Sequence, residues 1–337
     1  MREFPAEWYE QSAVQLTWPD ASTDWKDILE EVIPVFKSIA DEISEDQKVL
    51  IVTQDVSAVK QMFDGNANIV VVESEINDTW ARDHGGISVF EDGKPVLLDF
   101  GFNAWGNKFE FNKDNDITQR KFKAGVFKPE VEYSDNLDFI LEGGSVESDG
   151  KGTLLTTSEC LLSPERNPQF SKVEIENELK KRLGANRILW LDNGYLAGDD
   201  TDSHIDTLAR LISEDTIAYV ACEDENDEHY ISLKAMETEL MDFRQDNGEP
   251  YRLVKLPMAD AVYDEEDRLP ATYANFLIIN KKVLVPFYNS KKDEEVKKIM
   301  AELYPDREIV GINCLPLIKQ HGSLHCITMQ YPKEFVK

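Results

Sequence analysis

Four times along this chain, two apolar runs flank a short polar turn, and most of these pairs lead into an amphipathic stretch and a further apolar run. Residues 86–90 and 95–100 enclose Glu91-Asp92-Gly93-Lys94, and residues 144–147 and 153–157 enclose Ser148-Asp149-Gly150-Lys151. Residues 207–212 and 216–222 flank Ser213-Glu214-Asp215, while 273–279 and 283–288 flank Asn280-Lys281-Lys282. Apolar runs joined by such residues specify β-hairpins. Helices are predicted over 171–183, 232–243 and 293–303. The first places Val173, Ile175, Leu179 and Leu183 near one face, with Ser171 as N-cap and Gly184 as stop. Strands follow at 187–191, 251–256 and 308–312. Near the start, 25–43 reads as a helix leading to a strand at 48–52, with Pro34 expected to kink or divide it. Residues 103–126 fit the pattern least and are expected to form an irregular insertion.

Repeated units of this kind bury their apolar faces against one another. Two strands are left over, at 14–18 and 323–329, and a ring of units is often closed by pairing the chain ends. The expected fold is α/β: a five-bladed α/β propeller of ββαβ units, closed by the N- and C-terminal strands. No Pro/Gly/Ser-rich tract divides the chain, so residues 1–337 are expected to form a single domain.

The residues able to do chemistry fall in phase with these units. Asp83 lies just before the first hairpin, Glu142 before the second and His204-Ile205-Asp206 before the third, while Cys326 lies on the closing strand. A ring would bring such positions together at its centre. On a strand, His204 and Asp206 share a face, which suits an acid/base beside a cation anchor. A structural His–Asp hydrogen bond or a partial metal site would use the same pair. Only five histidines, without metal-helix spacing, weigh against the metal. His325 is expected on the opposite face from Cys326, as a core residue or one supporting the site. Asp83 and Glu142 also suit the bracing of turns, and Trp80 suits either core packing or a flat wall for a delocalised cation. Arg82 is expected to face away from Asp83 and hold another carboxylate. Cys160, Cys222 and Cys314 lack such company and read as structural.

A thiol among carboxylates has a raised pKa and is a poor general nucleophile. It suits a substrate that brings its own positive charge, such as a guanidinium. The chain's 36 Lys+Arg against 65 Asp+Glu leave a formal charge of −29. Nucleic acid and anionic membranes are therefore unsuitable partners, and a cationic small molecule is a suitable one. No apolar run reaches the ~20 residues that span a bilayer, and the opening residues lack the apolar core of a signal peptide. The four cysteines are far apart, with no C-x-x-C pair for zinc and no disulfide framework. A cytoplasmic location is expected.

Several segments carry a resemblance. They are residues 77–83 (Asn77-Asp78-Thr79-Trp80-Ala81-Arg82-Asp83), Leu141-Glu142-Gly143-Gly144, residues 156–162, Arg166-Asn167-Pro168, His204-x-Asp206 and His325-Cys326-Ile327-Thr328. In order and spacing they resemble the agmatine deiminase family, and more broadly the guanidino-modifying enzymes of the pentein fold, including bacterial proteins called peptidyl-arginine deiminases. The resemblance implies a five-bladed propeller and hydrolysis of agmatine to N-carbamoylputrescine and ammonia, feeding putrescine and polyamine synthesis. It implies Cys326 as nucleophile through an amidino-thioether and His204 as acid/base. Asp83 and Asp206 would grip the guanidinium, Glu142 would orient His204, and Trp80 would line the pocket. No cofactor or metal is implied, and a homodimer is. Asp202-Ser203 stands where related sequences carry Asn-Gly, and Gly322-Ser323-Leu324 replaces a Gly-Gly-Asn-Ile run. These departures leave the substrate's far amine to Asp200 or Asp202. Deimination of arginine or peptidyl-arginine, amidino transfer, and a non-catalytic pentein binding protein are the other readings.

Overall fold

The hairpins form where the turn chemistry allows them. In the first, Asp92 and Gly93 both take positive φ (50° and 77°), the conformation whose twist matches antiparallel strands. Ile87–Glu91 accordingly pairs with Lys94–Gly101. A computed structural model describes residues 1–337. In it, Val146–Ser148 pairs with Thr153–Thr157, Ala209–Ser213 with Thr216–Ala221, and Leu277–Ile278 with Lys282–Phe287, all antiparallel. The last of these hairpins is much shorter than the sequence pattern suggests.

In each unit the second hairpin strand then pairs in parallel with a later strand. Lys94–Gly101 takes Glu132–Ile140, Thr153–Thr157 takes Arg187–Leu191, Thr216–Ala221 takes Arg252–Pro257, and Lys282–Phe287 takes Glu308–Asn313. Parallel pairing requires a long crossover, usually helical. Three crossovers carry the helices Lys172–Leu183, Tyr230–Asp242 and Asp293–Leu303. The first begins with a reciprocal capping box between Ser171 and Glu174 and ends at Gly184. The crossover expected to be irregular instead contains three short helices, Ala104–Asn107, Asn112–Asn115 and Ile117–Lys123.

The chain ends share one sheet. Thr328–Pro332 runs antiparallel to Gln11–Thr17, which pairs in parallel with Lys48–Thr53, followed by Ile69–Glu73. The helix Leu29–Ser44 passes through Pro34 without a break. Pro34 and Glu30, whose carbonyl loses its proline-side donor, are both exposed to solvent, so the lost bond is not a buried one. There are thus five sheets of three or four strands and one two-stranded ribbon; none closes into a barrel. The largest apolar cluster joins the terminal sheet and its helix to the sheet containing Lys282–Phe287. No helix is long and apolar enough to cross a membrane.

The site is built by the segments that enter the hairpins. Ala81–His84 is a short helix, and Gly143–Ser145 and Ile205–Thr207 are single 3₁₀ turns; each stands just before a strand, and the three touch in succession. A buried lysine braces this arrangement from below. Lys121, on the helix Ile117–Lys123, bonds Gln15 and the Tyr331 hydroxyl (2.6 Å) of the terminal sheet. Burial lowers its pKa from 10.5 to about 7, against the pull of Asp99. Between those values the unfolded chain holds the extra proton, so stability rises with pH across that window. Lys121→Met is expected to stabilise the fold at neutral pH by about 1–4 kcal/mol, with the gain shrinking as pH approaches that of free lysine. Thermal unfolding at two pH values checks this, and a variant less stable at both would contradict it.

Candidate active site

Asp83, His204 and Asp206 meet around a glycine. A Cβ on Gly144 would lie 2.6 Å from His204 Nδ1, 2.9 Å from Asp83 Oδ1 and 3.2 Å from Asp206 Oδ2. Only glycine leaves room for all three. The Gly144 amide also donates to Asp83 Oδ1 (3.0 Å), which faces His204 Nδ1 at 3.6 Å. Asp83 Oδ2 accepts from Trp105 Nε1 (3.0 Å). Burial raises the Asp83 pKa to about 6, partly offset by His204.

Asp206 is held from behind. Its Oδ2 lies 2.7 Å from His325 Nδ1, and His325 Nε2 lies 2.6 Å from Glu7 Oε2. Glu7 Oε2 also accepts from Arg210 Nη2 (2.7 Å), and Glu7 Oε1 accepts from the Ile278 amide (2.7 Å). Burial alone would raise the Asp206 pKa, but the hydrogen bond and charge of His325 outweigh it and hold it low. Asp206 Oδ1 is buried and has no hydrogen-bond partner. It is an anionic acceptor with capacity to spare.

Cys326 is 5% exposed, with Sγ 3.5 Å from Asn275 Oδ1. Burial, then Asp206 and Asp83, push its thiol pKa well above the ordinary value. The thiol opens into a cavity shared with Asp83, Trp80 and Trp105. The same cavity is lined by Asp78, Asp200 and the exposed Asp24, with His321 in its wall but no lysine or arginine. Burial and the neighbouring Asp24 raise the Asp78 pKa to about 7, although Thr79 N–H (2.8 Å) and Trp80 Nε1 (3.1 Å) donate to its carboxylate.

His204 is 1% exposed. Burial opposes its charge, but Asp83, Cys160 and Glu142 outweigh that and hold its pKa well above the ordinary value. Glu142 is itself clamped by Arg166 Nε (3.0 and 3.2 Å). Arg166 Nη1 reaches Asp202 Oδ2 (2.5 Å), and Lys108 Nζ takes Asp202 Oδ1 (3.0 Å). Asp202, expected to contact substrate, is therefore neutralised by two cations and does not line the cavity. Asp200 does. Two groups offer metal-like donor sets, Glu142/Cys160/His204 and Glu7/Glu147/His325. Arg166 and Arg210 already occupy their carboxylates, which makes both ion-pair networks.

Two expectations about local structure need correction. His204 and Asp206 are not on a strand, because a 3₁₀ turn over Ile205–Thr207 follows His204. Cys326 is not on the closing strand, which begins at Thr328; it sits in the preceding turn, where Arg82 N–H donates to its carbonyl (3.1 Å). Strand alternation therefore fails to explain where His325 points. The turn carries it to Asp206, behind the anchor. Arg82 does face away from Asp83, with Nη2 3.9 Å from Glu7. Sequence reasoning assigned no role to Trp105, Glu7, Asn275 or Arg166, and read Cys160 as structural. A Trp in the least regular segment and an Arg within a family-like Arg-Asn-Pro run were the only visible signals.

The chain is similar to known proteins along almost its whole length. Residues 3–332 match the model of the Porphyromonas-type peptidyl-arginine deiminase family. A structure from Porphyromonas gingivalis, provisionally described as an arginine deiminase, is 52% identical, with a TM-score of 0.97 over 100% of both chains. The C. jejuni agmatine deiminase, solved as a cysteine-to-serine variant with substrate bound, is 41% identical, with a TM-score of 0.92 over 99% of this chain and 97% of its own. A protein of Photobacterium profundum, provisionally named an agmatine deiminase, is 34% identical over 98% of this chain and 95% of its own. More distantly, DDAH from Pseudomonas aeruginosa, a pentein, shares the fold at 10% identity and a TM-score of 0.50 over 96% of this chain and 100% of its own. The mixed α/β architecture is thus that of the penteins, and the chain belongs to the Porphyromonas-type peptidyl-arginine deiminase family.

Proposed function

We propose that this chain hydrolyses the guanidinium of agmatine to N-carbamoylputrescine and ammonia, as one catalytic domain whose five sheets are blades around the site. The observation that carries this reading is a cluster in which Asp83, His204 and Asp206 meet around Gly144 and Cys326 lies beside Asp206 and Asp83, with Cys326 and Asp83 also lining a cavity walled by acids and aromatic rings. Solved relatives named agmatine deiminases support it.

Asp83 and the free Asp206 Oδ1 accept planar N–H bonds from the guanidinium, a charge-assisted match. The arriving cation offsets the carboxylates that keep the Cys326 thiol protonated, and the thiol proton leaves to solvent. The thiolate attacks the guanidinium carbon. His204, as imidazolium, protonates the departing amino group; the C–N bond breaks and ammonia leaves. The resulting amidino-thioether is attacked by water as neutral His204 takes its proton. Collapse breaks the C–S bond and returns the thiolate, the added hydroxyl gives its remaining proton to solvent, and the neutral carbamoyl product is released.

The far ammonium then meets Asp78, Asp24 and Asp200, the remaining acids of the cavity wall. An α-carboxylate would meet the same anions with no lysine or arginine in the wall to receive it, which favours agmatine over free arginine. The P. gingivalis neighbour's name keeps arginine as the second reading. Ammonia release from agmatine, arginine and peptidyl-arginine compared side by side decides between them.

Cys326→Ser is expected to abolish ammonia release while calorimetry still detects agmatine binding; turnover by that variant would remove Cys326 as nucleophile. Asp78→Asn is expected to raise the KM for agmatine roughly tenfold, about 1.4 kcal/mol, with kcat little changed, and an unchanged KM would place the ammonium elsewhere. Because Asp83 must be ionised and its pKa is about 6 in the free protein, kcat/KM should fall as pH drops through that value. A bound guanidinium favours the carboxylate, so the corresponding limb of kcat should lie at lower pH. A kcat/KM that stays flat below that value would exclude Asp83 as an ionised anchor.

A further inference from the structure

Cys160 is fully buried at the back of the site, on the short helix Ser158–Leu161, whose N-cap Thr157 accepts from its amide. Its Sγ, a carboxylate oxygen of Glu142 and a ring nitrogen of His204 all lie within 4.8 Å of one another. His204 Nδ1 faces Asp83, at 3.6 Å. His204 Nε2 is buried and has no hydrogen-bond partner. Of the two groups behind the ring, Glu142 is already taken by Arg166. The thiol is the one uncommitted polar group beside an imidazole that has to change its protonation state twice in each turnover.

The geometry points to Cys160 as a positioning residue for His204, a thiol that supports the imidazole in both of its protonation states. Nδ1 faces Asp83 and the site, so the proton moved in turnover is the one on Nδ1; Nε2 keeps its hydrogen, and the sulfur is placed to accept that N–H in both states. Sulfur is a soft, weak acceptor, so it favours the Nε2–H tautomer without holding the ring in its charged form. A second carboxylate in this position would trap the imidazolium, and an alkyl group would leave the nitrogen unsupported. The charged and titratable groups facing His204 are Asp83, Glu142, Cys160, Asp206 on its own turn, and Arg166 behind Glu142. Cys160 is the member of that set whose substitution leaves the net charge around the ring unchanged.

This inference rests on His204 being the acid/base of the proposed reaction, and two readouts separate the two claims. With agmatine as substrate, Cys160→Ala is expected to lower kcat about tenfold or more, with KM within about threefold, and to move the pH limb of kcat; Cys160→Ser is expected to restore most of the activity. Independently of turnover, ¹⁵N-histidine NMR of the full-length wild type and Cys160→Ser should show the His204 titration midpoint moved by about half a pH unit or more. The serine variant preserves size and keeps the test open if the alanine variant does not fold. Equal losses in both variants with an unshifted pH profile, or an unmoved NMR midpoint, would make Cys160 a packing residue and overturn the inference. If no guanidino compound is turned over by the wild type while the midpoint moves, the proposed reaction fails and the contact stands.

Discussion

A charge network sealed between the sheets holds the site in place. Arg210, fully buried, donates to Glu147 on the second hairpin, to Glu7 near the N-terminus, and to the Ala274 and Phe276 carbonyls (3.1 and 2.6 Å) before the fourth. Glu7 passes the connection to His325, and His325 to Asp206. Removing one partner from such a network typically costs about 3–5 kcal/mol because a buried charge is left uncompensated. Replacement by apolar groups of the same volume often does not weaken a fold. Here the network also sets a position, since it orients one carboxylate oxygen of Asp206 towards His325 and leaves the other without a partner.

The chemistry follows from an imbalance that the fold maintains. Acids surround Cys326, and no lysine or arginine lines its cavity, although Arg166, Lys108 and Arg210 sit one layer behind. Those cations neutralise Glu142, Asp202 and Glu7, the carboxylates outside the cavity. Asp83, Asp78 and Asp200 are left with raised pKa values, burial being the first cause in each case. The protein thus distributes its positive charges so that the cavity itself remains short of one. A ligand cation supplies it.

The repeat was legible because hairpin turns and helix caps are local signals. The Asp92-Gly93 turn and the Ser171 and Gly184 caps are written in single residues or neighbours and reappear in the folded chain. The positions of Asp83, Glu142, His204, Asp206 and Cys326 were legible through their phase relative to the hairpins. The local reasoning about their direction was not sound. Alternation along a strand was applied to His204, Asp206 and Cys326, whereas a 3₁₀ turn and a tight turn aim them. Turns leave no two-residue period to read. Glu7 and Cys160 were out of reach for another reason: each acts across a large sequence separation, Glu7 on His325 from the opposite end of the chain and Cys160 on His204 from another unit. Nothing near them in the chain announces the partner.

The pairing of the first and last strands has a consequence for biosynthesis. The turn bearing Cys326 precedes Thr328–Pro332, the strand that docks on Gln11–Thr17. A nascent polypeptide emerging from the ribosome therefore displays Asp83, Glu142 and His204 long before it receives its sulfur. The proposed nucleophile is thus the last part of this cluster to be synthesised, and it is seated only when Thr328–Pro332 docks on Gln11–Thr17.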